Sequence, residues 1–285
     1  MTTSTSARNI DKTPKNDILF KILFGNPKHP RLLIALLNAV LNLDAPITGV
    51  TITQTELTPE TIGKKGVRLD ILAKTSDKKI INIEIQKKDE HNMLERSLFN
   101  WSRIFSGQAE VSEEYINLKK TICINILAFK LFNDGRYWHK GFLTDPKTHE
   151  RLTDLLEIHF LELKKIKKRK PDSPIMFWLE FIDNPESERI KKMYELEAVF
   201  SEAKEVYDKA IADPSVQELL RIHDKAERDY NDAIARNRRE GEQVGGHQKA
   251  VDVAQNLLKI KLPLPQIAQI TGLSIEEVEK IKNSN

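Results

Sequence analysis

The sequence has little of several features that mark particular protein classes. Only one of its 285 residues is cysteine, Cys123, so no disulfide can form within the chain. Its seven histidines are scattered, without the close His and Cys spacing of a zinc site. Neither a phosphate-binding G-x-x-x-x-G-K-[ST] loop nor a dinucleotide fingerprint is present. These absences exclude a disulfide-stapled domain and argue against a zinc protein or a nucleotide-cofactor enzyme. Cys123 lies in an apolar stretch and is interpreted as a buried structural thiol rather than a nucleophile.

The chain also lacks long apolar runs and a strong charge of one sign. No run approaches the eighteen or so apolar residues of a membrane span, and the polar start lacks a signal-peptide apolar stretch. We therefore predict a cytoplasmic protein with no membrane partner. The net charge is only +3, so any affinity for nucleic acid must come from local basic patches. Hydrophobic residues at 40% and charged residues at 31% are typical of a globular protein.

Two neighbouring segments, 67–73 and 80–88, alternate apolar and polar residues as the two arms of a β-hairpin do. A turn centred on Asp77 pairs residues that are equally distant from it, so Asp70 is predicted to lie opposite Glu84. Their Cβ atoms would then be about 4.5 to 5.5 Å apart, where like charges destabilise a sheet. On this interpretation a cation lies between the two carboxylates, and removing either acid relieves repulsion.

One face of the hairpin is predicted to be core and the other polar. Two acids and an amide on the polar face suit Mg²⁺, a hard ion that takes oxygen ligands. The alternative is an ordinary amphipathic hairpin with a solvated polar face. The predicted polar face carries Arg68, Asp70, Lys74, Asn82, Glu84, Gln86 and Lys88, and the apolar face carries Val67, Leu69, Ile71, Ala73, Ile81, Ile83 and Ile85.

The segments around the hairpin have a recognisable order. Segments 15–24 and 31–43 are apolar at helical spacing, and 47–57 is rich in β-branched residues, as strands are. Segment 91–118 is predicted to be a long helix with a possible flaw at Gly107, and 121–129 a buried strand. The resulting αβββαβ order, with an acid on the second strand and E-x-Q on the third, resembles the core of PD-(D/E)XK nucleases. The predicted fold class is therefore mixed α/β (α+β), with a C-terminal helical region.

The resemblance narrows to one group of bacterial proteins. Several segments are similar to the Rpn family, the recombination-promoting nucleases, also described as PD-(D/E)XK nuclease family transposases. The likeness runs over nearly the whole chain in the same order. Its segments are DILFKILFG (17–25), RLDILA (68–73), NIEIQ (82–86), RSLFNWSRIFSGQ (96–108), EIHFLELKK (157–165) and TGLSIEEVEKI (271–281).

This resemblance implies a metal-dependent DNA endonuclease that uses Mg²⁺ or Mn²⁺ to hydrolyse phosphodiester bonds. Carried over residue by residue, it makes Asp70 and Glu84 the metal-binding carboxylates, with the carbonyl of Ile85 as an additional ligand. Gln86 falls where many relatives in the superfamily place a catalytic lysine.

Three further residues are candidates for the same site. Gln86 is neutral and can orient a water or a phosphate oxygen, so Lys88, two residues on and on the same face, is a candidate source of positive charge. The alternative is that Lys88 is a solvated surface residue. Asp17 and Lys21 are possible additions from the first helix, as a further acid and a phosphate contact, although both also suit an ordinary polar helix face.

A basic run follows the segment 157–163 and precedes Pro171. Such a run can neutralise DNA phosphates and release counterions, which makes affinity fall with salt. The alternative is a solvated charged loop. The candidate DNA-binding residues are Lys164, Lys165, Lys167, Lys168, Arg169 and Lys170.

The remainder of the chain is predicted to be helical. We expect a nuclease-like domain over 1–184, a helical extension over 185–240 broken at Asp213-Pro214, and a small helical unit over 247–285, with GEQVGG (241–246) as the boundary. In the last unit Ser274 and Glu277 form a capping box, and the unit resembles a helix-turn-helix. Its final helix is acidic, which favours an element for packing, or for forming a homo-oligomer through the C-terminal helices, over one that reads DNA.

Three functions therefore remain open from the sequence. The first is a metal-dependent DNA endonuclease associated with recombination or mobile elements. The second is a catalytically weak or inactive DNA-binding or interaction protein on a nuclease-like core, kept open by Gln86. The third, a transposase with three separate acids, lacks an identifiable late acidic motif.

Overall fold

The structure is a computed structural model, and it describes residues 10–53, 70–109, 114–167, 169–171 and 173–283. Its centre is a six-stranded mixed sheet in the order β1-β2-β3-β4-β6-β5. Strands β3, β4 and β6 run parallel, whereas β1, β2 and β5 pair antiparallel with their neighbours. The strands are β1 (Val50–Thr53), β2 (Ile71–Thr75), β3 (Ile80–Gln86), β4 (Thr121–Leu127), β5 (Trp138–Gly141) and β6 (Leu156–Glu162).

The predicted hairpin forms in the predicted register. Ile71 pairs with Ile83 and Ala73 with Ile81, so the arms are symmetric about position 77. The turn closes because the Thr75 carbonyl accepts a hydrogen bond from the Lys78 N–H at 2.9 Å, and Lys78 adopts a left-handed φ of 68°. The predicted residues Val67, Arg68 and Leu69 lie outside the described residues.

Helices cover both faces of the sheet. On one face the helices before and after the sheet pack on the apolar side of β3 and form the main core. On the other face α3 contributes Met93 to a smaller cluster with Cys123 and Phe160. The helices up to residue 212 are α1 (Asp17–Phe24), α2 (Pro30–Leu41), α3 (Met93–Ser106), α4 (Pro174–Asp183), α5 (Glu188–Leu196) and α6 (Ala198–Ala212).

The predicted αβββαβ order is confirmed, but the helix predicted over 91–118 is too long. Helix α3 ends at Ser106 and is capped by Gly107, whose N–H donates to the Arg103 carbonyl at 3.0 Å. The Gln108 side chain then bonds both the N–H and the carbonyl of Lys119, which turns the chain toward β4. The helix therefore stops although the apolar residues keep their helical spacing, because the hydrogen bonds of Gln108 hold the chain in a turn. Residues 110–113 lie outside the described residues.

A buried polar network crosses β5 and β6. His159 bonds the Glu157 carboxylate at 2.7 Å through Nε2 and accepts a hydrogen bond from the Trp138 indole N–H at Nδ1, 3.1 Å. Burial lowers the pKa of His159, partly offset by Glu157, so the imidazole is neutral. Burial alone would raise the pKa of Glu157, but its bonds to His159 and Lys120 outweigh burial and hold that pKa at about 2.

The chain divides into two compact units, residues 1–224 and 225–285. Helix α7 (Pro214–Lys259) begins after the predicted break at Asp213 and runs through the glycine-rich segment 241–246. The second unit also contains α8 (Leu264–Thr271) and α9 (Ile275–Asn283), with Ala254, Ile267 and Val278 in its core. The predicted capping box is confirmed, since the Glu277 N–H donates to Ser274 Oγ and the Ser274 N–H to Glu277 Oε2.

None of the helices in the described part of the chain combines the length and apolar character needed to cross a membrane.

Candidate functional site

The hairpin brings the two predicted acids to the same end of the sheet. Asp70 directly precedes β2, and the observed register, continued by one residue, places it opposite Glu84 on β3. Glu84 is only 2% exposed and Asn82 only 4%, while Asp70 is half-buried. The polar face is therefore buried at Asn82 and Glu84, where side chains of α3 reach Glu84, whereas Lys74 and Lys88 of the same face are exposed.

Glu84 is held by two side chains of α3. The Arg96 guanidinium forms a buried ion pair with Glu84 Oε1, and the Asn100 amide donates to Oε2 at 3.4 Å. Arg96 and Asn100 are four residues apart and so point from the same side of the helix. The sequence interpretation required a cation between the acids but did not identify Arg96. The only available signal was the Arg-x-x-x-Asn spacing in the helix that follows the acidic strand.

Lys21 of α1 is the second cation at this site. It is 3% exposed, and its ammonium has no hydrogen-bond partner among the described residues. Burial lowers the pKa of Lys21, and the negative charge of Asp70 partly offsets that effect, so the two groups are close enough to interact. Asp17 lies one turn earlier on α1, where its carboxylate is 3.9 Å from His223 Nε2.

Gly25 explains how Lys21 fits against the hairpin. A Cβ at position 25 would lie 2.8 Å from the Lys21 carbonyl oxygen and 2.9 Å from Lys21 Cγ. It would also lie 3.3 Å from Ile71 at the start of β2. A side chain at position 25 would therefore crowd Lys21 at the end of α1 and press on Ile71 of β2.

The other candidates lie at the end of β3. The side chain of Ile85 is buried in the main core, so only its carbonyl can face a ligand. The Gln86 amide is half-buried and donates to the Lys88 carbonyl at 3.2 Å, and the Lys88 side chain is exposed. Gln86 follows Glu84 by two residues, so the two side chains lie on the same face of β3.

The donor chemistry of this site suits a hard divalent ion. Two carboxylates, one carbonyl and one amide oxygen are ligands that Mg²⁺ and Mn²⁺ accept. No group of three acidic, histidine or cysteine side chains close enough to hold a metal occurs within the described ranges. Glu84 would have to share its carboxylate between Arg96 and an ion. The Lys21 ammonium, which has no hydrogen-bond partner within the described ranges, suits an anion such as a phosphate.

Cys123 is a buried thiol near this site. Burial, together with the negative charge of Asp70, raises the pKa of the Cys123 thiol to about 12. A thiol with that pKa is almost entirely protonated at neutral pH, and only the thiolate is a good nucleophile. The predicted burial of Cys123 is confirmed.

The basic run 164–170 is not uniformly exposed. Lys165 forms an ion pair with the buried Glu162 at 2.6 Å, and Arg169 donates to the Gly135 carbonyl. These two cations thus stabilise the chain itself. Of the other four predicted residues, Lys164, Lys167 and Lys170 are exposed, and Lys168 lies outside the described residues.

Comparison with known proteins identifies a family. No curated protein and no solved structure shows a significant match to the chain. The family model described as PD-(D/E)XK nuclease family transposase matches residues 14–237, a range that contains Lys21, Asp70, Glu84 and Arg96. The chain therefore belongs to the PD-(D/E)XK nuclease family transposases, and this membership supports a nuclease-like function.

Proposed function

We propose that this protein is a DNA endonuclease that hydrolyses phosphodiester bonds with Mg²⁺ or Mn²⁺ and acts in recombination or in mobile elements. The observation that carries the proposal is the hairpin register, which brings Asp70 and Glu84 together beside two buried cations. Family membership supports the reaction class, because such nucleases generally use divalent metals.

Asp70, Glu84 and the Ile85 carbonyl are the residues that would hold the ion. When bound, a divalent ion polarises a phosphate and lowers the pKa of a coordinated water. Arg96 and Asn100 hold the Glu84 carboxylate in one orientation, and a ligand held in advance loses little freedom on binding. The pair Arg96 and Asn100 is thus a positioning element for Glu84.

Lys21 supplies positive charge where Gln86 cannot. Its buried ammonium lies in an environment of low dielectric, where a charge interacts with a phosphate more strongly than in water. Gln86 contributes an amide that orients a water or a phosphate oxygen. On this assignment the lysine that many relatives carry on the third strand is replaced in this chain by a lysine on the first helix.

The direct test is cleavage of supercoiled plasmid by purified protein with Mg²⁺ or Mn²⁺, followed by addition of a chelator. We expect nicked or linear plasmid, and no cleavage after chelation or in Asp70→Asn. Asp77→Asn is the matched control, since Asp77 lies in the turn of the same hairpin and makes only local bonds. Equal cleavage by wild type and Asp70→Asn would refute the assignment of the site.

DNA affinity is proposed to come from the exposed part of the basic run. Replacing Lys164, Lys167 and Lys170 by Gln should weaken binding to all duplexes alike and reduce the salt dependence by about 0.9 per lost phosphate contact. The matched control replaces three exposed lysines elsewhere, Lys225, Lys249 and Lys259. Titrations at several salt concentrations measure both slopes, and equal slopes for the two variants would contradict this location.

One observation favours the second candidate function, a DNA-binding protein without catalysis. The Arg96 guanidinium already neutralises Glu84, so a metal ion competes with it for the carboxylate. Calorimetric titration of Mn²⁺ into wild type and Asp70→Asn separates the two functions. Binding that is lost in Asp70→Asn favours the nuclease, whereas DNA binding without any metal binding favours the non-catalytic protein.

A further inference from the structure

Helix α3 exposes an apolar face on the side away from the site. Its inner side carries Arg96 and Asn100 toward Glu84. Its outer side exposes three large apolar side chains, and exposed apolar side chains grouped on one helix mark an interaction surface. They are Leu94 at 48%, Leu98 at 53% and Phe99 at 64% exposed.

Two opposite charges flank Phe99, the most exposed member of this apolar group. Glu95 lies four residues before Phe99 and Arg103 four residues after it, and residues four apart are neighbours on the surface of a helix. Both are exposed, and neither has an ion-pair partner in the described part of the chain. Along the helix axis the order is therefore negative charge, apolar centre, positive charge.

We propose that a second copy of this chain packs on the outer face of α3, antiparallel, across a two-fold axis that passes beside Phe99. Phe99 then contacts Phe99 of the second copy, with Leu98 of each copy next to that contact, and Glu95 lies beside Arg103 of the second copy. The two-fold axis makes the contact between Glu95 and Arg103 twice, as in other isologous interfaces.

The charges select this occupant and this direction. Because the surface carries one acid and one base at equal distances from its centre, it is complementary to itself only when the two helices run antiparallel. In a parallel pair Glu95 would face Glu95 and Arg103 would face Arg103. Like charges across an interface oppose association, so the parallel arrangement is disfavoured.

This interface leaves the candidate site intact. Arg96 is buried, and its side chain and that of Asn100 contact Glu84, so packing on the exposed side chains of α3 does not remove these contacts. One consequence rests on the proposed nuclease function, whereas the interface itself does not. If that function holds, the two-fold axis relates two sites that can act on the two strands of one duplex.

The test is the mass of the full-length protein in solution, measured by light scattering over a range of concentrations. Wild type should have twice the chain mass of 32.8 kDa. Leu98→Asp and Phe99→Asp should be monomers with unchanged thermal melts, since both side chains are exposed. Leu152→Asp is the matched control, because Leu152 is 63% exposed outside α3, and this variant should remain a dimer.

Charge exchange tests the direction of packing. Glu95→Arg and Arg103→Glu should each raise the dimer dissociation constant about tenfold or more, and the double variant should recover wild-type affinity. A double variant that stays weak would overturn the antiparallel arrangement. The proposed interface would be overturned if wild type were monomeric at every concentration. It would also be overturned if the dimer survived Leu98→Asp and Phe99→Asp, and that result would assign the dimer to the C-terminal helices.

Discussion

Removing one member of the Glu84–Arg96 pair should destabilise the protein, contrary to the expectation from sequence that losing an acid relieves repulsion. Both side chains are buried, and Glu84 is 2% exposed. Glu84→Leu leaves the Arg96 guanidinium buried without its counter-charge, and breaking a buried pair in this way costs about 3 to 5 kcal/mol. Repulsion between Asp70 and Glu84 is a smaller effect, since cross-strand pairs contribute roughly 0.2 to 1 kcal/mol.

Removing Arg96 instead of Glu84 should lower the free energy of unfolding by a smaller amount. In Arg96→Met the unpaired group is Glu84, and a carboxylate can take up a proton, whereas a guanidinium cannot lose one in a protein. In Glu84→Leu/Arg96→Met both charges are replaced by apolar side chains of similar volume, which is often neutral or stabilising. We therefore expect the double variant to lie near wild type, with a coupling free energy of about 3 kcal/mol or more.

Urea denaturation at pH 7, with linear extrapolation to water, measures these free energies of unfolding. The matched control is Glu205→Gln, which breaks the exposed Lys209–Glu205 pair of 2.5 Å and should change stability by no more than about 0.5 kcal/mol. The expected cost of breaking the buried pair is about 3 to 5 kcal/mol. The reasoning would be refuted if the free energy of unfolding of Glu84→Leu lay within about 1 kcal/mol of the wild-type value, well below that cost. The double variant should also be folded but unable to cut DNA, which makes it a suitable inactive control.

Three further outcomes follow from the burial and contacts of individual residues. Lys21→Met should stabilise the protein by about 1 to 3 kcal/mol in urea denaturation, because it removes a buried ammonium without a hydrogen-bond partner among the described residues, and should lower plasmid cleavage; a loss of stability would contradict this. Gly25→Ala should shift α1 and reduce cleavage, since the new Cβ meets the Lys21 carbonyl at 2.8 Å, and unchanged cleavage and melting would show that α1 adapts without cost. Burial lowers the pKa of His159 in the folded state, so the stability that its neutral form confers is complete above its ordinary value of 6.5 and falls as pH decreases below it, by at most about 1.4 kcal/mol per pH unit. His159→Gln should reduce the dependence of the urea midpoint on pH between about 6.5 and 5.5, and an unchanged dependence would show that another group carries it.

The sequence by itself determined the order of the helices and strands in the core and the opposition of Asp70 to Glu84. Both are local properties. Alternation identifies the arms of the hairpin, and the register follows from counting outward from the turn at Asp77, so no knowledge of the remaining fold is needed. The capping box at Ser274 and the break at Asp213 were predictable for the same reason, because each depends on residues within one helical turn.

Only the tertiary structure decided what surrounds the two acids. The burial of Glu84 and its pairing with Arg96 depend on α3 packing over the polar side of the hairpin, and the position of Lys21 depends on α1 approaching β2 at Gly25. Such contacts join residues that are far apart in the chain, and periodicity gives the face of an element without identifying what packs on it. The same limit applies to Lys165, whose ammonium donates to the carbonyl of Phe132 at 2.8 Å, 33 residues earlier in the chain.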